Sequence, residues 1–242
     1  MSAAGLRFLG VGGASAVTLG NSAAMFERDG QPVLQIDCGF TAPQSCDLAY
    51  GVPAPALFLT HLHLDHCGGL ETLFYRLRFA KDVKAPLRLF VPAALVVGLH
   101  QRFAASAALL AEGGSNFWDV FQLIPVDAGF WWQQLWFDVF PVRHHAPDSA
   151  FGLQLCGRFV YTGDTRPIPE QLAHRANRGE TIFHDCGLAG NPSHSGLDDL
   201  RREYPPSTLA QLVLYHYGSP VEAEALAASG LRVAHPGEFF AV

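Results

Sequence analysis

The chain has 242 residues, 49% of them hydrophobic, enough to bury a substantial core, and a single domain over residues 1–242 is expected. Its formal charge of -6, from 16 Lys and Arg against 22 Asp and Glu, excludes the overall basic field that gathers a long nucleic acid. No apolar run reaches the ~20 residues needed to cross a bilayer, because Leu89 to Leu99 is broken by Pro92 and Gly98.

Leu6 to Val11 reads as a strand ending in Gly12-Gly13, a second apolar piece runs from Ala23 to Glu27, and Asp29-Gly30 marks a turn. Val33 to Asp37 is a third strand, closed by Asp37-Cys38-Gly39 into a loop, and Ala56 to Thr60 is a short buried strand. Directly after it, His61-Leu62-His63-Leu64-Asp65-His66 packs three imidazoles and a carboxylate into six residues. Residues two apart on extended chain face the same way, so His61 and His63 can hold one ion together. Asp65 and His66 then fall where the chain turns towards a second centre. Imidazole nitrogen with carboxylate oxygen suits Zn²⁺, or else Mn²⁺ or Fe²⁺, whereas calcium or magnesium would take oxygen alone. Gly68-Gly69 lets the backbone turn, and Leu70 to Leu77 has helical apolar spacing, so the ligands sit on a strand-to-helix loop.

The basic cluster Arg76, Arg78, Lys81, Lys84 and Arg88, with Asp82 inside it, reads first as a solvated helix end and second as a contact for a phosphate group. A strand at Leu87 to Val91 is followed, after Pro92, by a helix to about Ala111 that Gly113-Gly114 ends. Phe121 to Val126 and Trp131 to Val142 read as strands. Trp131, Trp132, Trp136 and Phe137 are expected as core and sheet face, in preference to a cleft or a dimer contact. Phe151 to Leu155 and Phe159 to Thr162 form a hairpin about Gly157. Thr181 to Asp185 and Leu212 to Tyr215 are further strands, with a helix from about Leu197 to Arg202 between them. Strands and helices interleave, the pattern of a layered α/β fold.

More ligand types close these later strands. Two histidines, His144 and His145, follow Phe140-Pro141-Val142-Arg143; Asp164 follows Tyr161-Thr162-Gly163; His216 follows Leu212 to Tyr215. HLHLDH, a later His, TGDT and a strand-terminal His together resemble the metallo-β-lactamase superfamily, over nearly the whole chain. The resemblance implies a four-layer αββα sandwich with the site at one edge of the paired sheets. It gives His61, His63 and one of His144 and His145 to a first ion, Asp65, His66 and His216 to a second, and Asp164 to both. Of the pair, His145 is the expected ligand, since it lies nearer the Phe151-Gly152 that follows the equivalent ligand in relatives; His144 remains an alternative, or a support behind the ligand. Two ions sharing a water would lower its pKa and aim it at carbon or phosphorus, so hydrolysis is the expected chemistry, with Asp65 among the catalytic residues.

Thr181 to Gly187 followed by Ser193-His194-Ser195-Gly196 resembles one branch of that superfamily, the tRNA 3′-processing endonucleases and the phosphodiesterases of cyclic nucleotides or cyclic sugar phosphates. There an acidic residue at a strand end precedes a His-Ser motif. Asp185 and His194 match it, with Asp where the endonucleases have Glu. An imidazolium held by a carboxylate can protonate a leaving alkoxide or steady the pentacovalent charge, so His194 is expected as general acid and Asp185 as its partner. The competing readings make Ser193 or Ser195 a helix N-cap with His194 a bystander, or put His184 in the place of Asp185. Only residues 146–163 separate His145 from Asp164, too few for the long arm with which the tRNA enzymes grip their substrate. The expected substrate is therefore a small phosphodiester, with lactonase or thioesterase-like hydrolysis and a non-catalytic ligand-binding domain as the other readings. Five cysteines without a CxxC pair or secretory signal point to free thiols in the cytoplasm, and family analogy alone points to a homodimer.

Overall fold

The computed structural model describes residues 3–80, 85–105 and 116–242. The expected helix end at 106–114 and the basic residues Lys81 and Lys84, with Asp82, lie outside them. In chain order the first sheet takes β1 (Ala4–Gly10), β2 (Ala23–Arg28), β3 (Gln31–Ile36), β4 (Ala56–Phe58), β5 (Leu87–Pro92) and β6 (Phe121–Val126). The second takes β7 (Gly129–Trp132), β8 (Leu135–Pro141), β9 (Phe151–Leu155), β10 (Phe159–Tyr161), β11 (Thr181–Asp185), β12 (Leu212–Tyr215) and β13 (Arg232–Val233), while β14 (Phe239–Ala241) returns to the free edge of β1.

Each sheet is mixed. β1, β2 and β3 pair antiparallel, and β3, β4, β5 and β6 pair parallel. In the second sheet β7 to β10 are antiparallel and β10 to β13 parallel. Parallel neighbours need a crossover, which helices supply. In the first sheet these are α1 (Ala42–Tyr50), α2 (Leu64–Cys67), α3 (Gly69–Phe79) and α4 (Val96–Leu99). In the second they are α5 (Pro169–Arg175), α6 (Leu197–Glu203), α7 (Pro206–Leu209) and α8 (Pro220–Ala228). The result is the expected αββα sandwich. Among the described residues no helix is long and apolar enough to cross a membrane.

The two sheets are held face to face by aromatic rings from both. Phe8 on β1 meets Phe183 at 5.5 Å and Tyr215 at 5.4 Å on the second sheet, and Phe26 on β2 meets Phe137 at 6.0 Å and Phe159 at 5.8 Å. Such rings bring large apolar area and edge or tilted contacts worth about 0.5–1.5 kcal/mol per pair beyond burial. Phe8 is fully buried. Phe8→Ala should therefore lower the unfolding free energy by about 3–5 kcal/mol, read as a fall in the urea midpoint with little change in slope.

Three expectations change. The strand from Trp131 to Val142 is a hairpin, β7 and β8, turned at Gln133 (φ 46°) and Gln134 (φ 65°). Two left-handed residues make the turn that suits strand twist, but glutamines do not carry the usual Asn-Gly signature. The aromatic group divides accordingly. Phe137 is core and Trp132 donates its indole N–H to Val33 O, while Trp131 is 68% exposed and meets Trp136 ring to ring at 5.6 Å. Of the basic cluster, Arg76 pairs with Asp47 and Arg88 lies over the Trp132 ring at 4.9 Å, so both have structural partners.

Candidate metal centre

The candidate ligands gather because the segments that carry them leave strand ends at one edge of the sandwich, with His63, Asp65 and His66 at the start of α2 just beyond β4. His61 follows β4, His144 follows β8, Asp164 follows β10, Asp185 ends β11 and His216 follows β12. Loops at the carboxyl ends of parallel strands are where open α/β sheets place their ligand sites. Two site residues adopt left-handed backbone, Asp37 (φ 62°) and His216 (φ 71°), which costs about 1–2 kcal/mol each and aims the side chain inward from a strand that would otherwise carry it past. Close approach matters at Gly39, where a Cβ would overlap the carbonyl oxygen of Asp65.

Two groups of donor atoms form the cage, each with all atoms within 4.8 Å of one another: His61, His63, His144 and Asp164, and Asp65, His66, Asp164 and His216; a third group of the same kind, Asp164, Asp185, His194 and His216, adjoins them. Asp164 joins them. Its Oδ2 lies 3.2 Å from Nε2 of both His66 and His216, 3.6 Å from His61 Nε2 and 3.8 Å from His144 Nε2. Nε2 of His61, His66 and His216 and both carboxylate oxygens of Asp164 are buried without a hydrogen bond. Unsatisfied buried polar atoms are costly, and nitrogen and oxygen donors converging in this way fit divalent transition ions. The residues present therefore fit two such ions.

Outer contacts fix how each ring faces. Asp37 is fully buried and accepts from Thr60 N–H at 2.8 Å and Thr60 Oγ1–H at 2.7 Å, and its Oδ2 meets His66 Nδ1 at 2.8 Å. Thr60 Oγ1 is also 3.0 Å from His61 Nδ1. With both Nδ1 atoms donating outward, the neutral rings of His61 and His66 would present their Nε2 lone pairs to an ion in the cage. Asp37 is expected from the sequence only as the close of the third strand; the signal for its role is a carboxylate ending an apolar strand ahead of Cys38-Gly39.

The electrostatics differ between the two groups. Burial pushes His144 down to about 4 and holds His61 and His63 below their ordinary value, so these rings are neutral near pH 7. Burial opposes charge on Asp164, but His216, His66 and His61 outweigh it and keep its carboxyl well below the usual range. Burial likewise opposes charge on His216, yet Asp164, Asp185 and Asp65 lift it to about 10. The carboxylates on this side of the cage thus favour positive charge close by, which divalent cations would supply.

The structure brings together His61, His63, Asp65, His66, Asp164 and His216, and corrects the remaining member. His144, 2% exposed, holds the cluster position, with Nδ1 donating to Ser193 O at 2.9 Å and Nε2 3.2 Å from His63 Nδ1. His145 is exposed at the rim, its Nδ1 3.3 Å from Ser193 Oγ. The chain leaves β8 at Pro141, so the strand's alternation no longer decides which of the two adjacent rings faces inward. His144→Ala should reduce bound metal from two ions per chain to about one, and His145→Ala should leave it at two, as read by elemental analysis.

His194 lies beside the cage. Its Nδ1 is 2.8 Å from Asp185 Oδ2, and its ring is 4.8 Å from that of His144 and 4.9 Å from that of His216. Asn191 Oδ1 accepts from the backbone N–H of Ser193 and of His194, which fixes this loop. Neither serine caps α6: Ser195 Oγ donates to Thr165 O, and Ser193 Oγ faces His145. His184 points away, to Tyr204 Oη at 2.7 Å, so Asp185 and not His184 holds the His194 ring. Burial lowers the His194 pKa, but the bond to Asp185 prevails and raises it, favouring the imidazolium.

Comparison with known proteins agrees with this architecture. The family model described as Anti-Pycsar protein Apyc1 matches residues 4–240. The Anti-Pycsar protein Apyc1 of Paenibacillus harenae is 30% identical over 241 residues, covering 96% of this chain and 97% of that protein. The metallo-β-lactamase fold protein YhfI from Bacillus subtilis superposes with a TM-score of 0.76 at 16% identity, covering 98% of this chain and 99% of that one. A diphosphatase from the PhnP family superposes with a TM-score of 0.75 at 19% identity, over 99% of this chain and 98% of that one. The sandwich is thus the metallo-β-lactamase fold, and with the family model matched almost from end to end, the chain belongs to the Anti-Pycsar protein Apyc1 family.

Proposed function

We propose that this protein is a phosphodiesterase that opens a cyclic nucleotide, with two divalent ions held by His61, His63, His144, Asp65, His66, His216 and the shared Asp164. The observation that carries this reading is the Asp185 and His194 pair beside the cage, joined at 2.8 Å. The His-rich donor set favours zinc, ahead of manganese or iron. Such ions, when bound, lower the pKa of water and offset charge on a phosphoryl group.

The chain's own residues supply the rest. Cleaving an alkyl phosphodiester needs an alkoxide to leave. His194 Nδ1–H is committed to Asp185 Oδ2, so Nε2–H is the atom that can pass its proton to the departing oxygen or donate to the charge developing beside it. Asp185 keeps that ring oriented and favours its charged form. Asp65 and Asp164 fix the ion-holding histidines, and Asp37 orients His66 from behind. Membership in the Anti-Pycsar family fits a small cyclic nucleotide, and the negative balance of the chain fits a single phosphodiester better than a polyanion.

The test is a panel of 3′,5′- and 2′,3′-cyclic nucleotides, a cyclic ribose phosphate and bis(p-nitrophenyl) phosphate, assayed with metal-loaded protein. Hydrolysis of a cyclic nucleotide that a chelator abolishes and Zn²⁺ or Mn²⁺ restores is expected. Absence of metal-dependent turnover across the panel would reject the reading.

A further inference from the structure

We propose that His145, outside the ion-holding set, binds a non-bridging oxygen of the substrate's phosphate at the mouth of the site; this rests on the phosphodiesterase reading above. Exposure differs across the cage. His61, His66 and Asp164 are 2%, 0% and 1% exposed, whereas His63 is half-buried and the His194 side chain is 25% exposed. A substrate therefore meets the His63 and His194 side first.

His145 belongs to that side. Its ring lies 4.8 Å from the His63 ring and 4.1 Å from the His144 ring, and its Nδ1 is 3.3 Å from the hydroxyl of Ser193, the residue preceding His194. Ser193 is a firm anchor for it. The Ser193 carbonyl accepts from His144 Nδ1–H at 2.9 Å, and its N–H donates to Asn191 Oδ1 at 2.8 Å. The Ser193 hydroxyl is then free to donate to His145 Nδ1, which leaves the proton on Nε2. An N–H donor at the opening suits an anionic phosphate oxygen, since hydrogen bonds to charged acceptors are about twice as strong as neutral ones. His63, His145 and His194 thus rim the opening, one as ion ligand, one for the phosphate and one for the leaving oxygen.

The experiment compares wild type with His145→Ala, His145→Gln and Ser193→Ala, all metal-loaded. It reads ions per chain, KM and kcat on the best cyclic nucleotide, and the affinity for inorganic phosphate by titration calorimetry. All four proteins should hold two ions. His145→Ala should raise KM and weaken phosphate binding by about 10- to 100-fold with a much smaller change in kcat, the scale of a lost hydrogen bond to a charged group. His145→Gln, whose amide can still donate, should recover part of this, and Ser193→Ala should weaken phosphate by about threefold. Unchanged KM and phosphate affinity in His145→Ala would overturn the proposal, and so would loss of an ion from that variant. Should the wild type open no cyclic nucleotide, the phosphodiesterase reading falls, and the phosphate titration by itself then decides the role of His145.

Discussion

Asp164→Ala is expected to empty the cage of both ions and to lower turnover of a cyclic nucleotide by about three decades or more, the effect of losing several kcal/mol of transition-state stabilisation. The size follows from its position. Asp164 is the member common to both ion-holding groups, and its Oδ2 lies 3.2 Å from Nε2 of His66 on α2 and of His216 after β12. Other single substitutions in the cage leave one group complete; this one breaks both. Asp164→Asn keeps the shape and one oxygen but removes the charge, and should retain part of the metal at elevated concentration. Far-UV circular dichroism should match wild type, because the sandwich core of Phe8, Phe26 and Phe137 is built without the cage.

His194→Ala should leave two ions per chain and lower kcat on a cyclic nucleotide by about two to four decades, the range of general acid catalysis. A further comparison isolates the proton. The p-nitrophenolate of bis(p-nitrophenyl) phosphate leaves without help, so the loss on that substrate should be at least tenfold smaller than on an alkoxide leaving group. Equal losses on both substrates would assign His194 to binding or to charge stabilisation. Asp185→Asn should fall between wild type and His194→Ala, and should also loosen an ion, because Asp185 Oδ1 lies 3.5 Å from His216 Nδ1 as well as supporting His194 through Oδ2.

Legibility in the sequence followed how local each constraint is. His61, His63, Asp65 and His66 could be read directly, because four ligand types sit in six residues after an apolar strand. Asp164 and His216 could be read as ligand types closing strands, and the resemblance then grouped them. The choice between His144 and His145 could not be read, since the turn after Pro141 sets which ring faces in and no periodicity reaches past it. Asp37 was out of reach for another reason. Its role is to hold His66 from 29 positions away, and a carboxylate closing a strand does not by itself show which ring it will meet. The αββα layering came from the resemblance, with strand and helix interleaving consistent with it. Helix α1 passed unread among its loop-like neighbours. Helix α8 carried a readable start in Ser219-Pro220 with Glu222, where Ser219 Oγ accepts from Glu222 N–H.

The most direct measurement is anomalous diffraction at the absorption edge of the bound metal, on crystals of the reconstituted protein. Two peaks about 3.5–4 Å apart are predicted, one among His61, His63, His144 and Asp164, the other among Asp65, His66, Asp164 and His216. A single peak, a peak held by His145, or no peak after reconstitution would contradict the two-ion site.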